Sequence, residues 1–446
     1  MGRKIPEGEA GAIAAPLILG MALVLGGGGS PSPLPEILLQ ISTALVVALW
    51  LHRHPRALAS VPSGAWWIAG LVTALHLVQL VPLPPTVWHA LPGRSVQVAA
   101  LELIQAERSW RPLSLSPART LASLLCALSA LALLLLTTTI GHAARWRLIG
   151  IVAIGGGITL LLGAAQIKGE VGNPLRFYNP AQVWLTGFFA NRNSAADLIL
   201  VALVASAALA WRFRPLAPSP WSFLAVLVAI DLALLVGLFL TGSRTGIALA
   251  PVILVAQLVI LLPGNRPHAF ALTVGMTCAA VIAAMSFVTL RNTQAVAVVA
   301  MRFTHEKEFR PELWRDAVFA LQQYWPFGAG QGTIVPVLIA AERLEVVDPT
   351  LPNRAHNDFL ELAIEGGLTG LIVLALIGVI LFRTARSSWR TARAGGRAQI
   401  MFATTTLVIL AAHSLVDYPL RSMALAGMAA AAAGLLFPPP AARPGS

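Results

Sequence analysis

The chain carries little charge for its length. Only 11% of its 446 residues are Asp, Glu, Lys or Arg, whereas a soluble globular domain usually has about 25%. Hydrophobic residues make up 57% of the sequence, and the mean hydropathy is +0.76. This composition excludes an ordinary soluble protein of two or three domains. It predicts instead one polytopic membrane domain over residues 1–446.

Cysteine is also scarce. The two cysteines, Cys126 and Cys278, both lie inside apolar runs. The sequence therefore indicates neither a disulfide framework nor a metal site. The 31 prolines and 37 glycines fall mostly at the ends of apolar segments or at helix-packing positions. Their distribution is typical of packed membrane helices and does not indicate disorder.

Apolar stretches of about 17–25 residues, long enough to cross a bilayer, recur along the chain. Arg3 and Lys4 before the first run resemble a signal peptide. No convincing cleavage site follows, so a retained signal anchor is the favoured interpretation. We predict an all-α, polytopic integral membrane bundle of about 12 transmembrane helices. The predicted spans are 10–26, 35–51, 64–82, 118–140, 146–167, 193–211, 221–241, 244–262, 268–290, 358–382, 398–416 and 420–438.

Basic residues orient this bundle, because Lys and Arg are enriched in cytoplasmic loops. With the N-terminus inside, the inner segments hold 15 of the 31 Lys and Arg residues and only two acids, Glu7 and Glu9. These basic residues are spread over short loops rather than over one face, so no nucleic-acid partner is indicated. In a Gram-negative cell this orientation would place the bundle in the inner membrane with its outer loops facing the periplasm, and the usage of Ala, Leu, Arg and Pro suits a GC-rich bacterium.

Three longer loops lie outside in this orientation, at residues 83–117, 168–192 and 291–357. The last is a large hydrophilic loop between spans nine and ten. Residues 310–321 within it have apolar side chains at helical spacing, so the periplasmic loop is predicted to be partly helical. The glycines of the following segment, 326–332, leave two alternatives open. They form either a backbone cradle for phosphate or a plain loop.

A histidine stands where this loop meets the next apolar run. A neutral imidazole can accept a proton from a hydroxyl, so His356 is a candidate general base. The alternative is an interfacial histidine that anchors a helix. Three acids, Asp358, Glu361 and Glu365, follow and could orient its ring. Their alternative role is solvation of a helix start, where the helix dipole favours acids.

Arginines at other predicted outer boundaries point to an anionic ligand. Arg244 would lie on the first turn of a helix that begins after Ser243, a candidate N-cap. A cation there opposes the helix dipole, and a phosphate would account for it because the planar guanidinium fork suits phosphate. Arg192, just before span six, has a similar position. For both arginines the alternative is snorkelling into lipid headgroups.

Other polar residues also have two interpretations. Asp197 lies near Arg192 and could pair with it. Asp231 lies near the middle of span seven, so it should face a partner or a cavity, and it could mark a proton pathway in a transporter. The polar cluster from His413 to Arg421 either supports the site or only closes a tight turn.

Short motifs follow one another along most of the chain, and their predicted places share the outer face. They are Pro82-Leu-Pro-Pro85 with Trp88, residues 112–120, Phe-Phe-Ala-Asn-Arg-Asn at 188–193, Ser243-Arg-Thr-Gly246, Arg310-x3-Trp314, residues 326–332, His356-Asn-Asp-Phe-Leu-Glu361 with Glu365-x-Gly367, and His413-x3-Asp417-Tyr-Pro419. At these residues the chain resembles the O-antigen ligase and polymerase superfamily of bacterial membrane glycosyltransferases.

The resemblance implies a polytopic helical fold that acts on glycans carried on undecaprenyl diphosphate. It implies no cofactor, no nucleotide sugar and, for the ligases, no metal. On this resemblance His356 is the general base, and Arg244, Arg192 and Arg310 hold the diphosphate. The supporting residues are Asn357, Asp358, Glu361, Glu365, His413 and Asp417.

The resemblance leaves the acceptor open. A ligase transfers glycan to lipid A-core oligosaccharide, whereas a polymerase transfers it to another lipid-linked repeat unit. Because ligases generally place their large loop late in the chain, O-antigen ligase is favoured. An O-antigen or exopolysaccharide polymerase is the first alternative, and a polysaccharide transporter or flippase is the second. The predicted partners are the lipid-linked donor, a glycan or lipid A-core acceptor and the lipid bilayer.

Overall fold

The computed structural model describes residues 7–28, 33–168, 172–179, 181, 183–261, 309–347, 351 and 353–440. These residues are mostly helical. The α-helices are α1 (Glu7–Leu25), α2 (Pro33–Arg53), α3 (Ser63–Leu80), α4 (Pro85–Trp88), α5 (Ser95–Glu102), α6 (Pro117–Thr139), α7 (His142–Lys168), α8 (Arg192–Phe213), α9 (Pro220–Leu240), α10 (Arg244–Leu261), α11 (Arg310–Tyr324), α12 (Ile334–Ala341), α13 (Asp358–Thr391), α14 (Ala394–His413) and α15 (Met423–Leu436).

Shorter elements connect these helices. Two short strands, β1 (Pro82–Leu83) and β2 (Arg111–Pro112), pair in antiparallel register with Pro82 opposite Pro112. They tie together the two ends of the first predicted outer loop. Short 3-10 helices lie at Ala57–Ser60, Arg214–Leu216, Leu344–Val346 and Pro419–Arg421.

The helices agree with the predicted spans. In the described part of the chain, nine helices are long and apolar enough to cross a membrane: α2, α3, α6 to α10, α13 and α14. Two shorter apolar helices, Ala12–Leu25 and Met423–Leu436, match the first and last predicted spans. The ninth predicted span, 268–290, and the first part of the large loop, 291–308, lie outside the described residues. The prediction of an all-α polytopic bundle is confirmed.

Helix α8 lies at the centre of the bundle, because 89% of the residues in its 18-residue apolar stretch are buried. Its sequence is rich in alanine, and small side chains let neighbouring helices approach closely. At the crossing with α7, a Cβ added to Gly156 would lie only 2.3 Å from the Cβ of Ala202. The start of α8 is therefore held firmly in place, which matters because it carries polar residues of the site described below.

Helix α13 is broken near its start. Gly367 has φ +56° and ψ −150°, which interrupts the helical hydrogen bonds. The break is closed by the glycine-rich segment 326–332, because the backbone N–H of Leu368 donates to the carbonyl oxygen of Pro326 at 2.8 Å. A buried backbone group normally finds such a partner, so the break and the segment form one unit.

The N–H groups of this segment are also used inside the protein. Those of Gly328, Ala329, Gly330 and Gln331 donate respectively to Tyr324 O (2.8 Å), Ile364 O (2.9 Å), Glu365 O (2.9 Å) and Gln79 Oε1 (2.8 Å). Groups that are already paired cannot at the same time cradle a phosphate. Of the two alternatives for the glycine-rich segment, the structure favours the plain loop, here packed against α13.

We expect Gly367→Ala to destabilise the protein by about 2–3 kcal/mol. An added Cβ would lie 2.1 Å from the carbonyl oxygen of Pro326, in a conformation with positive φ. Gly378→Ala is the matched control on the same helix, since nothing lies within 4 Å of its added Cβ. Thermal unfolding of the purified variants in detergent measures the difference. Equal melting temperatures for the two variants would contradict this account of the break.

Candidate active site

Polar side chains from three segments meet at one end of the bundle. The segments are the start of α8, the residues around the start of α13, and the turn after α14. All three lie at boundaries that the sequence analysis assigned to the outer face. Residues far apart in the chain, such as Asn193, His356 and Asp417, are thereby brought into direct contact.

His356 lies just before α13 in an uncommon backbone conformation, with φ +49°. Asn357 is the N-cap, because its Oδ1 accepts a hydrogen bond from the N–H of Leu360 at 3.0 Å. The imidazole of His356 lies edge-on to Tyr418 and Phe309, with ring centroids 4.9 and 5.2 Å away. The cap and the two aromatic rings together hold the orientation of the histidine ring.

The Nδ1 atom of His356 is 3.0 Å from Oδ1 of Asp417. A carboxylate accepts hydrogen bonds, so Nδ1 donates and Nε2 keeps its lone pair. The His356 side chain is 16% exposed, so the ring is accessible from the protein surface. An imidazole oriented in this way can take a proton from a hydroxyl, and the carboxylate stabilises the imidazolium that forms.

Asp417 is almost fully buried and accepts two further hydrogen bonds on Oδ2. They come from the side-chain amides of Asn193 and, at 3.3 Å, of Asn191. Burial by itself would raise the pKa of Asp417. The hydrogen bond of His356, the charge of that ring when it is protonated, the charge of His413 and the amide of Asn193 outweigh burial and hold that pKa below its ordinary value. The carboxylate is therefore ionised at neutral pH.

The three acids that follow His356 have a different partner. Arg421 Nε lies 3.4 Å from Asp358 Oδ1 and 3.1 Å from Glu361 Oε2, and its Nη1 lies 2.8 Å from Glu365 Oε2. Burial would lower the pKa of Arg421, but the three carboxylates raise it above its ordinary value. The carboxylate that contacts the imidazole is that of Asp417, not one of the three acids that the sequence suggested for orienting the ring.

This ionic cluster also fixes the chain on both sides of His356. Glu361 Oε1 accepts from the N–H of Ala355 at 2.9 Å, and Arg354 lies 3.4 Å from Glu361 Oε2. On the other side, Asp358 Oδ2 accepts from Ser414 Oγ at 2.8 Å. The cluster therefore supports the unusual backbone conformation of His356.

A second histidine and acid pair lies deeper in the bundle. His413 Nδ1 is 2.6 Å from Asp197 Oδ1, and both side chains are buried. Asp197 belongs to α8, one turn beyond Asn193, and the sequence analysis had suggested Arg192 as its partner. The cluster that begins at His413 thus contacts α8 and α13 as well as closing a turn.

Two of the predicted phosphate-binding arginines lie at the starts of neighbouring helices. Arg192 is the first residue of α8 and Arg244 the first of α10. Ser243 Oγ accepts from the N–H of Gly246 at 3.2 Å, which confirms the predicted N-cap. The guanidinium of Arg192 lies 4.6 Å from the ring centroid of Trp184. That ring also packs on the turn before α10, where a Cβ on Gly242 would lie 2.6 Å from it.

The third predicted arginine is closer to the histidine in the chain. Arg310 begins α11, and the preceding Phe309 contacts the His356 ring. The indole of Trp314 on the same helix donates to the carbonyl oxygen of Ala355 at 2.8 Å, next to the histidine. Helix α11 in the large loop is therefore attached to the site.

Asp231, which suggested a proton pathway, has partners within the bundle. Its carboxylate accepts from Ser206 Oγ at 2.7 Å and from Gln257 Nε2 at 3.2 Å. The three residues belong to α9, α8 and α10. A buried carboxylate with two donors is accounted for by helix packing, as predicted for an acid that faces partners.

Several residues of the cluster had no individual role predicted from the sequence. Asn191 and Asn193 belong to a quoted motif, but their only available signal was their position on either side of Arg192. Arg421 and Arg354 are ordinary boundary arginines in the sequence. Their function as partners of buried acids depends on contacts between distant segments.

Comparisons with known proteins bear on the same residues. Residues 229–375 match the family described as "O-Antigen ligase". The match covers about a third of the chain and includes Arg244, Arg310 and His356. Comparison with curated proteins finds no match. The matched domain is that of ligase-like and polymerase-like glycosyltransferases. Residues 229–375 of this multi-pass membrane protein are therefore similar to the O-antigen ligase family.

Proposed function

We propose that the protein transfers a glycan from undecaprenyl diphosphate to a hydroxyl of lipid A-core oligosaccharide, at the periplasmic face of the inner membrane. The observation that carries this proposal is the contact between His356 Nδ1 and Asp417 Oδ1 at 3.0 Å, next to a family match that includes the histidine. A dyad of this kind suits removal of a proton from an attacking sugar hydroxyl.

The proposed reaction is a single displacement. The acceptor hydroxyl oxygen attacks the anomeric carbon of the donor sugar, and the bond from that carbon to the phosphate oxygen breaks. The lipid diphosphate leaves with the bonding electron pair. The hydroxyl proton moves to Nε2 of His356, while Asp417 stabilises the positive ring, and it then passes to water. One displacement inverts the configuration at the anomeric carbon.

The leaving diphosphate needs compensation for its developing charge. Arg192 and Arg244 lie at the starts of adjacent helices, and Arg310 is next to a residue that contacts His356. We assign these three arginines to the diphosphate, because a guanidinium matches phosphate oxygens in a bidentate manner. Fixed cations in a site of this kind can contribute about 3 kcal/mol each to stabilisation of the transition state.

A reconstitution experiment tests the proposed function. Purified protein in liposomes, without an ion gradient, receives the lipid-diphosphate glycan together with lipid A-core. We expect glycan on lipid A-core, with inverted configuration and release of undecaprenyl diphosphate. Elongation of the lipid-linked glycan instead would identify a polymerase. Movement of intact donor across the bilayer without any transfer would identify a flippase, and it would overturn the enzymatic proposal.

A further inference from the structure

We propose that Asn191 and Asn193 are positioning residues that act on His356 through the carboxylate of Asp417. The inference rests on the proposed function, because it concerns the base of that reaction. It assigns the start of α8 a part in proton transfer, in addition to the proposed binding of diphosphate by Arg192.

The geometry of the α8 start directs both amides to one atom. Asn191 is the N-cap, and its Oδ1 accepts from the N–H of Asn193 at 2.9 Å. That bond turns its Nδ2 toward Asp417 Oδ2, at 3.3 Å. The residue Asn193 is only 8% exposed, and its Nδ2 donates to the same oxygen. Asp417 Oδ1 is then left to accept from His356.

The chemistry of the donors matters as much as their position. A lysine or arginine here would neutralise Asp417 and weaken its hold on the imidazolium. Neutral amides stabilise the buried carboxylate while its full charge stays available to His356. They also favour the form of the dyad that lacks the extra proton, which is the form able to act as a base.

Other charged and titratable groups also face Asp417, and one of them, Tyr418, has a side-chain hydrogen bond with Asn191. They are His356, His413, Asp197, Asp358 and Tyr418. His413 is held by its own bond to Asp197 at 2.6 Å, and Asp358 by its bond to Ser414 at 2.8 Å. Neither of these bonds involves Asn193, so a change in the titration of the dyad in Asn193→Ala is attributable to the amide that was removed.

Asn193→Ala tests the inference in the reconstituted system, with kcat/KM for transfer from lipid-diphosphate glycan to lipid A-core measured over a range of pH. Without the amide, the dyad takes up its proton more readily. We expect the acidic limb of the profile to move to higher pH by about one unit, with transfer largely restored at alkaline pH. Asn179→Ala, an exposed asparagine of the same loop, is the matched control and should keep the wild-type profile.

A second variant tests the same inference independently of the folding of Asn193→Ala. Asn191→Ser retains a capping oxygen for α8 but removes the amide donor to Asp417, so it should move the acidic limb in the same direction. Rates lowered equally at every pH, or left unchanged, in either folded variant would overturn the inference. If the wild-type protein performs no transfer to any acceptor, the proposed function fails, and this result is distinct from an active enzyme with an unshifted limb.

Discussion

His356→Ala is expected to lower the rate of glycan transfer by about 10²–10⁴-fold, because the variant has no group to take the proton from the acceptor hydroxyl. The side chain contacts Asp417 and two aromatic rings but caps no helix itself, since Asn357 has that role. We therefore expect the variant to fold. Transfer is measured with purified protein in liposomes, with donor and acceptor at saturating concentration.

Two further variants separate the loss of the base from damage to the site. His356→Gln retains an N–H donor that can reach Asp417 but no basic nitrogen, so it should be as inactive as the alanine variant. His89→Ala removes an exposed histidine whose ring contacts the carbonyl oxygen of Glu107, and it should leave transfer unchanged. Full transfer by a folded His356→Ala protein would refute the assignment of His356 as the general base.

The bundle was predictable from sequence because its determinants are local. Long apolar runs predict spans, and the spacing of apolar residues in 310–321 correctly predicts the helix that begins at Arg310. The pairing of Pro82 with Pro112 was not predictable, since it joins short extended segments through a loop. Packing of the glycine-rich segment against the break at Gly367 likewise depends on segments brought together by the fold.

The contacts within the candidate site were not predictable from the sequence. Asp358, Glu361 and Glu365 follow His356 at helical spacing, so they share one face of α13. His356 precedes that helix with a positive φ, and its ring instead meets Asp417 from the turn after α14. Which acid contacts the imidazole depends on that backbone angle and on the placement of α8 beside α14, and no local pattern encodes either one.

Arg421→Ala is expected to destabilise the folded protein by about 3–5 kcal/mol. The guanidinium is within 3.4 Å of three carboxylates, and two of them, Glu361 and Glu365, belong to side chains with no exposed surface. Removing the cation leaves those carboxylates buried, close together and without their main counter-charge. They would have to take up protons or draw in water, and either change loosens the chain around His356.

Thermal unfolding in detergent measures this effect. Two further variants test whether the loss of stability comes from the buried charges. Arg108→Ala removes an exposed arginine from a surface pair with Glu107 at 3.7 Å, and we expect little change in melting temperature because solvent screens such a pair. Combining Arg421→Ala with Glu361→Gln and Glu365→Gln should recover part of the lost stability. The amide oxygens of glutamine can still accept the backbone hydrogen bonds of Ala355 and Ile334 that the carboxylates accept. If Arg421→Ala melts at the same temperature as Arg108→Ala, the buried ionic cluster does not support the site.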